Sequence, residues 1–317
     1  MVSAFQNLPP CRPKSLLIRD VLFPRMGTRR RPRRQVIVLA VLAAWSTMSI
    51  GAHAQVSQAS HLPPQALVRQ IDHIVIAMDE PEMLFRVFSE KLKLPVVWPF
   101  ASYGAFSSGG VGFGNVNIEV ARDERLQSGL ARVALEPISL SELLAGLDAR
   151  GLQHGPPNPY YQRNSSGADH LLWTTVLLTE LPPAREIFFC RFSFDVDKRR
   201  AKIKRELQKS GGGSLGVDSV KELVIGVHDI AAARRDWATL LGPIDATQEP
   251  IWQVGSGPAI RLIEANEDQL KVLRVKVKSL RRAWAFLKAE GLLGLDTERE
   301  IEIDRNRVAG ADIRLVE

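Results

Sequence analysis

Four times along this chain of 317 residues an apolar strand runs into a capped amphipathic helix and is then answered by short strands. The first strand, Ile71 to Met78, meets Asp79 as N-cap with Glu82 three residues on, a capping-box spacing, and Leu84, Val87, Phe88 and Leu92 recur on one helical face. Leu130 to Leu135 precedes the box of Ser139 and Glu142, the apolar face of Leu140, Leu143, Leu144 and Leu147, and Gly151 past the helix end. The third strand, Val220 to Val227, leads through the cap Asp229 to Ile230, Ala233, Trp237, Leu240 and Leu241, closed by Gly242. The fourth, Val272 to Val277, leads through Ser279 to Leu280, Ala283, Trp284 and Leu287, closed by Gly291. Short strands are expected after each helix: 96–100, 103–107 and 116–120, then 173–178 and 186–192, then 251–254 and 260–265, then 301–304 and 312–316. A single unit of this kind cannot bury its own sheet, so the units must pair.

Between the second and third units lie the charge run Asp197 to Lys209 and the glycines Gly211 to Gly213. They read as a short, mostly solvated helix and a flexible joint, a linker over 196–216. A basic patch for anionic lipid or nucleic acid is the alternative, weakened by the lack of interleaved aromatics.

The formal charge of +7 is not spread over the protein. Residues 1–54 hold nine Lys/Arg against Asp20, a net of +8, which leaves about −1 for residues 55–317. A phosphate-neutralising surface, and with it nucleic acid as a partner, is not indicated. The basic segment has another reading. Arg29 to Arg34 form a positive n-region, Val36 to Ile50 an apolar h-region, and Ala52-His53-Ala54 a small-residue cleavage site, so residues 26–54 read as a signal peptide. The apolar run falls short of the roughly 20 residues of a spanning helix, so no stable membrane anchor is expected after cleavage and the address is periplasmic or secreted. Met26 opens this segment, and residues 1–25 then read as an over-extended start. Arg33-Arg34 also weakly resembles a twin-arginine export signal. Cleavage removes Cys11 and leaves Cys190 in an apolar run, a buried thiol with no disulfide partner.

Strand alternation sets the candidate site. Asn115, Asn117 and Glu119 share one face while Val116, Ile118 and Val120 share the other. With His73 on a neighbouring strand, an imidazole and a carboxylate can enter one concavity, half of a divalent metal site. The glycine-rich stretch Ser108 to Gly114 reads as a tight turn between strands, since no Lys-Ser/Thr or helix start follows it.

These segments resemble the vicinal-oxygen-chelate superfamily of glyoxalases, extradiol dioxygenases and bleomycin-resistance proteins. The likeness rests on Ile71-Asp72-His73-Ile74-Val75-Ile76 with its helix, Leu94 to Trp98, Ser108 to Gly114 and Asn117-Ile118-Glu119-Val120, echoed in Val220 to Val227 and Leu262-Ile263-Glu264. It implies an α+β fold of four βαβββ modules forming two glyoxalase-like domains, one over 68–195 and a degenerate one over 217–317. It also implies metal ligands on the first and last strands of the modules, here His73 and Glu119. The matching positions of the second module hold Arg132 and Arg191, and those of the second domain Glu222, Glu264, about Val272, and Glu317, with no histidine. Two chemistries follow. In the first, Fe, Mn, Zn or Ni bound by His73, Glu119 and a donor such as His154 or His170 acts on a small oxygenated substrate, in lyase, isomerase or dioxygenase fashion, with Tyr160 and Tyr161 near the pocket. In the second, with no metal, Arg132 pairs with Glu119, Arg191 holds an anionic ligand, and the protein binds or sequesters a small molecule. Trp98, Phe100, Tyr103, Phe106 and Phe113 are candidate walls, and Asn117 is a candidate ligand contact. His228 and His61 stand apart from the site. The sequence does not fix the oligomeric state.

Overall fold

The computed structural model of the protein describes residues 66–163 and 167–317, so the signal-peptide segment, Cys11 and His61 lie outside the described residues. Two mixed sheets organise the described chain. The first has eight strands in the order β2-β3-β4-β1-β5-β8-β7-β6, where β1 is Val68–Ala77, β2 Val96–Ser102, β3 Ser107–Gly112, β4 Asn117–Arg122, β5 Gly129–Pro137, β6 Asn158–Arg163, β7 Asp169–Leu177 and β8 Ile187–Phe192. The second has seven strands in the order β10-β11-β9-β12-β15-β14-β13, where β9 is Val217–Val227, β10 Ile251–Gln253, β11 Ala259–Glu264, β12 Gln269–Val277, β13 Leu293–Asp296, β14 Ile301–Ile303 and β15 Ile313–Val316. Each sheet is built on a central antiparallel pair, β1 with β5 and β9 with β12, flanked by parallel partners. The modules are βαβββ, except the third, where only β10 and β11 follow the helix.

The helices α1 (Pro81–Arg86), α2 (Leu140–Ala149), α4 (Ile230–Leu241) and α5 (Leu280–Ala289) follow the first strands of the modules. Ser139, Asp229 and Ser279 cap α2, α4 and α5 by accepting from the backbone N–H of Glu142, Ala232 and Arg282. Asp79 does not cap α1. Glu80 holds the N-cap position without a side-chain bond, because Pro81 at the first helical position already removes one of the N–H groups a cap would satisfy. Ile71, Ile74 and Ile76 of β1, Ile118 and Val120 of β4, and Val133 and Leu135 of β5 belong to one hydrophobic cluster with Leu84, Phe88, Leu143 and Leu147 of the helices. The same cluster continues through Leu223, Ile225 and Trp237 into the second sheet. Asn115 stitches the sheets together: its side chain donates to the Val220 carbonyl and accepts from the Val220 N–H.

Three sequence expectations are corrected. Ser107–Gly112 is a strand, not a turn, because bulky neighbours need its bare backbone: a Cβ on Gly110 would stand 2.5 Å from the Trp98 ring, and one on Gly112 2.2 Å from Ile203 Cγ2. Asn158–Arg163 is a strand paired with β7, an addition to the two strands, 173–178 and 186–192, expected after the second helix. Gly211 to Gly213 are not a flexible joint. Gly212 and Gly213 are buried, Ser214 N–H donates to the Leu92 carbonyl, and Arg282 donates to the Gly213 carbonyl, so the turn is pinned from both sheets.

Candidate functional site

The backbone does something at His73 that alternation alone does not reveal. Along β1 and β5 the pairing passes from Ile71↔Leu135 to His73↔Ala134, leaving Asp72 as an extra, bulged residue. The bulge turns Asp72 and His73 onto the same, concave face of the first sheet, while Ile71 and Ile74 both keep the helix side. An irregularity of the same kind recurs at the matching place in each other module: Ala131 is skipped before Arg132, Lys221 before Glu222 and Lys271 before Val272, while β1 and β9 each carry a second one, at Arg69 and Asp218. His73, Arg132, Glu222 and Val272 are therefore equivalent positions. Two residues on from each, the parallel neighbour supplies the matching last-strand position: Val75↔Glu119, Ala134↔Phe188, Val224↔Arg261 and Arg274↔Arg314. In three of the four modules this lies three residues before the side chain expected from sequence: Phe188 rather than Arg191, Arg261 rather than Glu264, Arg314 rather than Glu317.

On the concave face His73 is clamped between two acids. Its Nδ1–H donates to Asp72 Oδ2 at 2.8 Å, and Nε2 lies 3.2 Å from Glu119 Oε2. Burial by itself would depress the imidazole pKa, but the bonds to Asp72 and Glu119 outweigh it and lift the group to about 10. Burial pushes the Asp72 carboxyl up, and the His73 bond and the Arg200 charge overcome it, so the net shift is down. His73 is thus a cation at neutral pH. The chain of ions continues: Arg200 donates to Asp72 and Glu136 at 3.1 and 2.9 Å, Arg69 to Glu136 and Asp197, Gln70 to Glu136, and Ser256 of the second sheet's β10–β11 turn to Gln70.

Arg200 comes from α3, Val196–Lys209, the helix expected to be solvated. Asp195 caps it by accepting from the Lys198 N–H, its basic outer face does meet water, and Ile203 and Leu207 are buried. Ile203 fills the space over Gly112, and Arg199 stacks on Phe194 at 4.0 Å. What remains between Trp98, Asn117, Phe192, Arg199 and Arg200 is a cavity of about 10 Å³, room for roughly one water. Aromatic rings close the face above: Trp98 and Phe188 stand edge-on to His73, and Tyr103 on the β2–β3 turn reaches Tyr160 and Trp173 of the opposite sheet edge. Phe100 and Phe113 pack instead against Phe85 and Phe88 in the core.

Arg132 does not pair with Glu119, whose ion-pair partner is His73. The half-buried Arg132 guanidinium keeps Nε without a hydrogen-bond partner, as does Oε2 of Glu186, a carboxyl that burial pushes up to about 7. Arg191 is exposed on the other face of β8 from Phe188 and Cys190. His154 bonds to Asp148 beside α2, and His170 is exposed on β7, so neither joins His73. The Cys190 thiol is buried and pushed well up by burial and the nearby acids. In the second domain Glu222 and Arg261 meet at 2.9 Å where the first has His73 and Glu119, and Arg274 binds the other Glu222 oxygen at 2.6 Å. Asp72, Arg200 and the helix that brings Arg200 were not readable as site residues. The only signal in sequence was the regular placement of a polar residue before His73 and before Glu222.

As a metal centre the set falls short. Of the four equivalent positions of the first domain two hold donors, His73 and Glu119, and two hold Arg132, which stays protonated, and Phe188, which has no donor atom. Among the described residues no three His, Cys, Asp or Glu side chains are grouped as a metal ion requires.

No protein-family model matches the sequence, and no curated protein does. Solved structures do. The 2,3-dioxygenase LapB of a Pseudomonas species is similar at 13% identity and a TM-score of 0.54, over 79% of this chain and 92% of that one. A variant of homoprotocatechuate 2,3-dioxygenase from B. fuscum is similar at 9% identity and 0.54, over 80% and 72%. The Mn(II)-bound glyoxalase of Novosphingobium aromaticivorans is similar at 11% and 0.50, over 80% and 84%. The chain has the vicinal-oxygen-chelate fold of these extradiol dioxygenases and this glyoxalase, with its two curved sheets and flanking helices.

Proposed function

We propose that the concave face of the first domain is a metal-independent binding site for a small, oxygenated, anionic molecule. The observation that carries this is the identity of the residues at the four equivalent positions: His73 and Glu119 satisfy each other as an ion pair, and the other two are an arginine and a phenylalanine. Guanidinium groups flank the face at Arg132, Arg199 and Arg200, and the unmet Nε of Arg132 is the donor with bonding capacity left for a carboxylate or enolate oxygen. Trp98, Phe188 and Tyr103 supply flat apolar walls. A ligand larger than water enters only if Arg199 and Arg200 withdraw with α3.

A metal-assisted reading is favoured by one observation: Asp72 fixes the His73 ring so that Nε2 faces Glu119, as an outer carboxylate does behind a histidine ligand. Elemental mass spectrometry of the full chain beside His73→Ala separates the two. No metal in either, even after reconstitution, with benzoate raising the melting temperature of the wild type and not of Arg132→Met, supports the metal-free reading. Near one equivalent of a transition metal, lost in His73→Ala, overturns it. Export rests on the pattern of residues 26–54, and N-terminal sequencing of chain recovered from the periplasm tests it: a start at Gln55 is the expected result.

A further inference from the structure

A second cleft lies on the far side of the first sheet's helix, where the two domains meet, and none of the concave-face residues lines it. It encloses about 400 Å³, within the range of small-molecule sites. Met83, Leu84 and Val87 form one wall, and Leu292, Arg307 and Ala309 the other. Leu84 and Leu292 are buried and form an apolar floor, whereas Met83 is 60% exposed at the mouth, a large flexible apolar side chain left facing water.

The backbone on both walls departs from the ordinary. On the first, α1 continues into a π-helical turn over Val87–Lys91, with the Leu92 N–H donating to the Val87 carbonyl at 2.9 Å, and this turn lines the cleft with Val87 and Lys91. Such turns are rare in helices and gather at functional sites. On the second, Ala309 sits at φ 61, a left-handed conformation that a residue with a Cβ adopts at some expense of strain.

Charge gives the cleft a sign. Lys91 is tied across the mouth to Glu290 at 3.2 Å, and the neighbouring Arg305 to Glu302 and Asp312. Arg307, exposed on the rim, has no acidic partner among the described residues. A lone guanidinium over an apolar floor complements one carboxylate carried on an apolar body. We infer that this interdomain cleft binds a medium-length alkyl carboxylate, its chain against Leu84, Val87 and Leu292 and its head on Arg307. The inference stands independently of any role for His73.

Isothermal titration of the full chain with octanoate, beside octanol as the uncharged analogue, tests it. The expected result is one saturable site for octanoate, at least tenfold weaker in Arg307→Ala and in Met83→Trp, which fills the mouth, and at least tenfold weaker for octanol. Both substitutions fall on exposed side chains, and an unchanged melting temperature certifies their fold. Absence of saturable octanoate binding, equal affinity in Arg307→Ala, or octanol binding as tightly as octanoate each overturns the inference.

Discussion

His73 carries its charge in a place where burial opposes it, and that has a consequence for pH. Because its pKa is raised in the folded state, to about 10 from 6.5, the stabilisation is fully present below pH 6.5 and is lost as pH rises through about 10. The shift corresponds to something on the order of 5 kcal/mol across that window. Denaturant unfolding at pH 6.5 and pH 10.5 should show the wild type losing several kcal/mol more than His73→Ala, and parallel curves would sink the ion-pair assignment. Arginines offer a second contrast. Removing Arg200 takes one charged hydrogen bond from Asp72, which keeps His73, and one from Glu136, which keeps Arg69 and Gln70, at about 1.5–3 kcal/mol for each such bond, whereas Arg132→Ala removes a guanidinium that holds no acid and should cost about 1 kcal/mol or less. The same urea titration on both variants checks the order. At this scale the sequence disclosed what period two can disclose: His73, Asn117 and Glu119 on one face. Asp72 stayed hidden because an inserted bulge residue reverses parity without any change in composition.

Among the elements, α3 is the one whose role sequence misjudged most, and the reason is physical. Nine of its fourteen residues are charged, so its mean hydropathy is that of a solvated helix, yet Arg200 turns inward to buried acids and Ile203 and Leu207 face the sheet. Charge content says nothing about whether an acid waits on the other side. The seat of α3 is Gly112, so a side chain there should lift the helix. Gly112→Val is expected to leave the sheets folded and expose the Lys/Arg-rich segment 196–209 to trypsin, giving two fragments split there on a gel while the wild type resists. Equal resistance would mean that Ile203 does not hold the helix down. The capped helices α2, α4 and α5 were legible because capping is local chemistry. β3 and β6 were not: the glycines of β3 serve neighbours distant in sequence, and β6 owes its pairing to β7 rather than to its own propensity.

For the whole molecule, the fourfold pattern foretold paired modules, but the degree of fusion came only with the packing. One hydrophobic cluster runs through both sheets, and Asn115, Ser214, Trp237 and Ser256 each bond from one half to the other. The two halves should therefore unfold together. Replacing Trp45, Trp98 and Trp173 by Phe leaves Trp237, Trp252 and Trp284 to report the second half by fluorescence with the Trp237 bond intact, and far-ultraviolet dichroism reports both. Coincident transitions are expected, and two separated midpoints would show independent domains.

The four bulges also separate an address from its contents. At the matching place in every module an extra backbone residue aims the next side chain at the concave face, whether that side chain is His73, Arg132, Glu222 or Val272. The aiming is done by main chain, so the occupant can be exchanged while the scaffold stays as it is. Arg132→His together with Phe188→Glu would seat two imidazoles and two carboxylates on one sheet face, and zinc binding by that double variant, measured by competition with a chromogenic chelator, would tell whether this lineage of folds stores its chemistry in four interchangeable sockets.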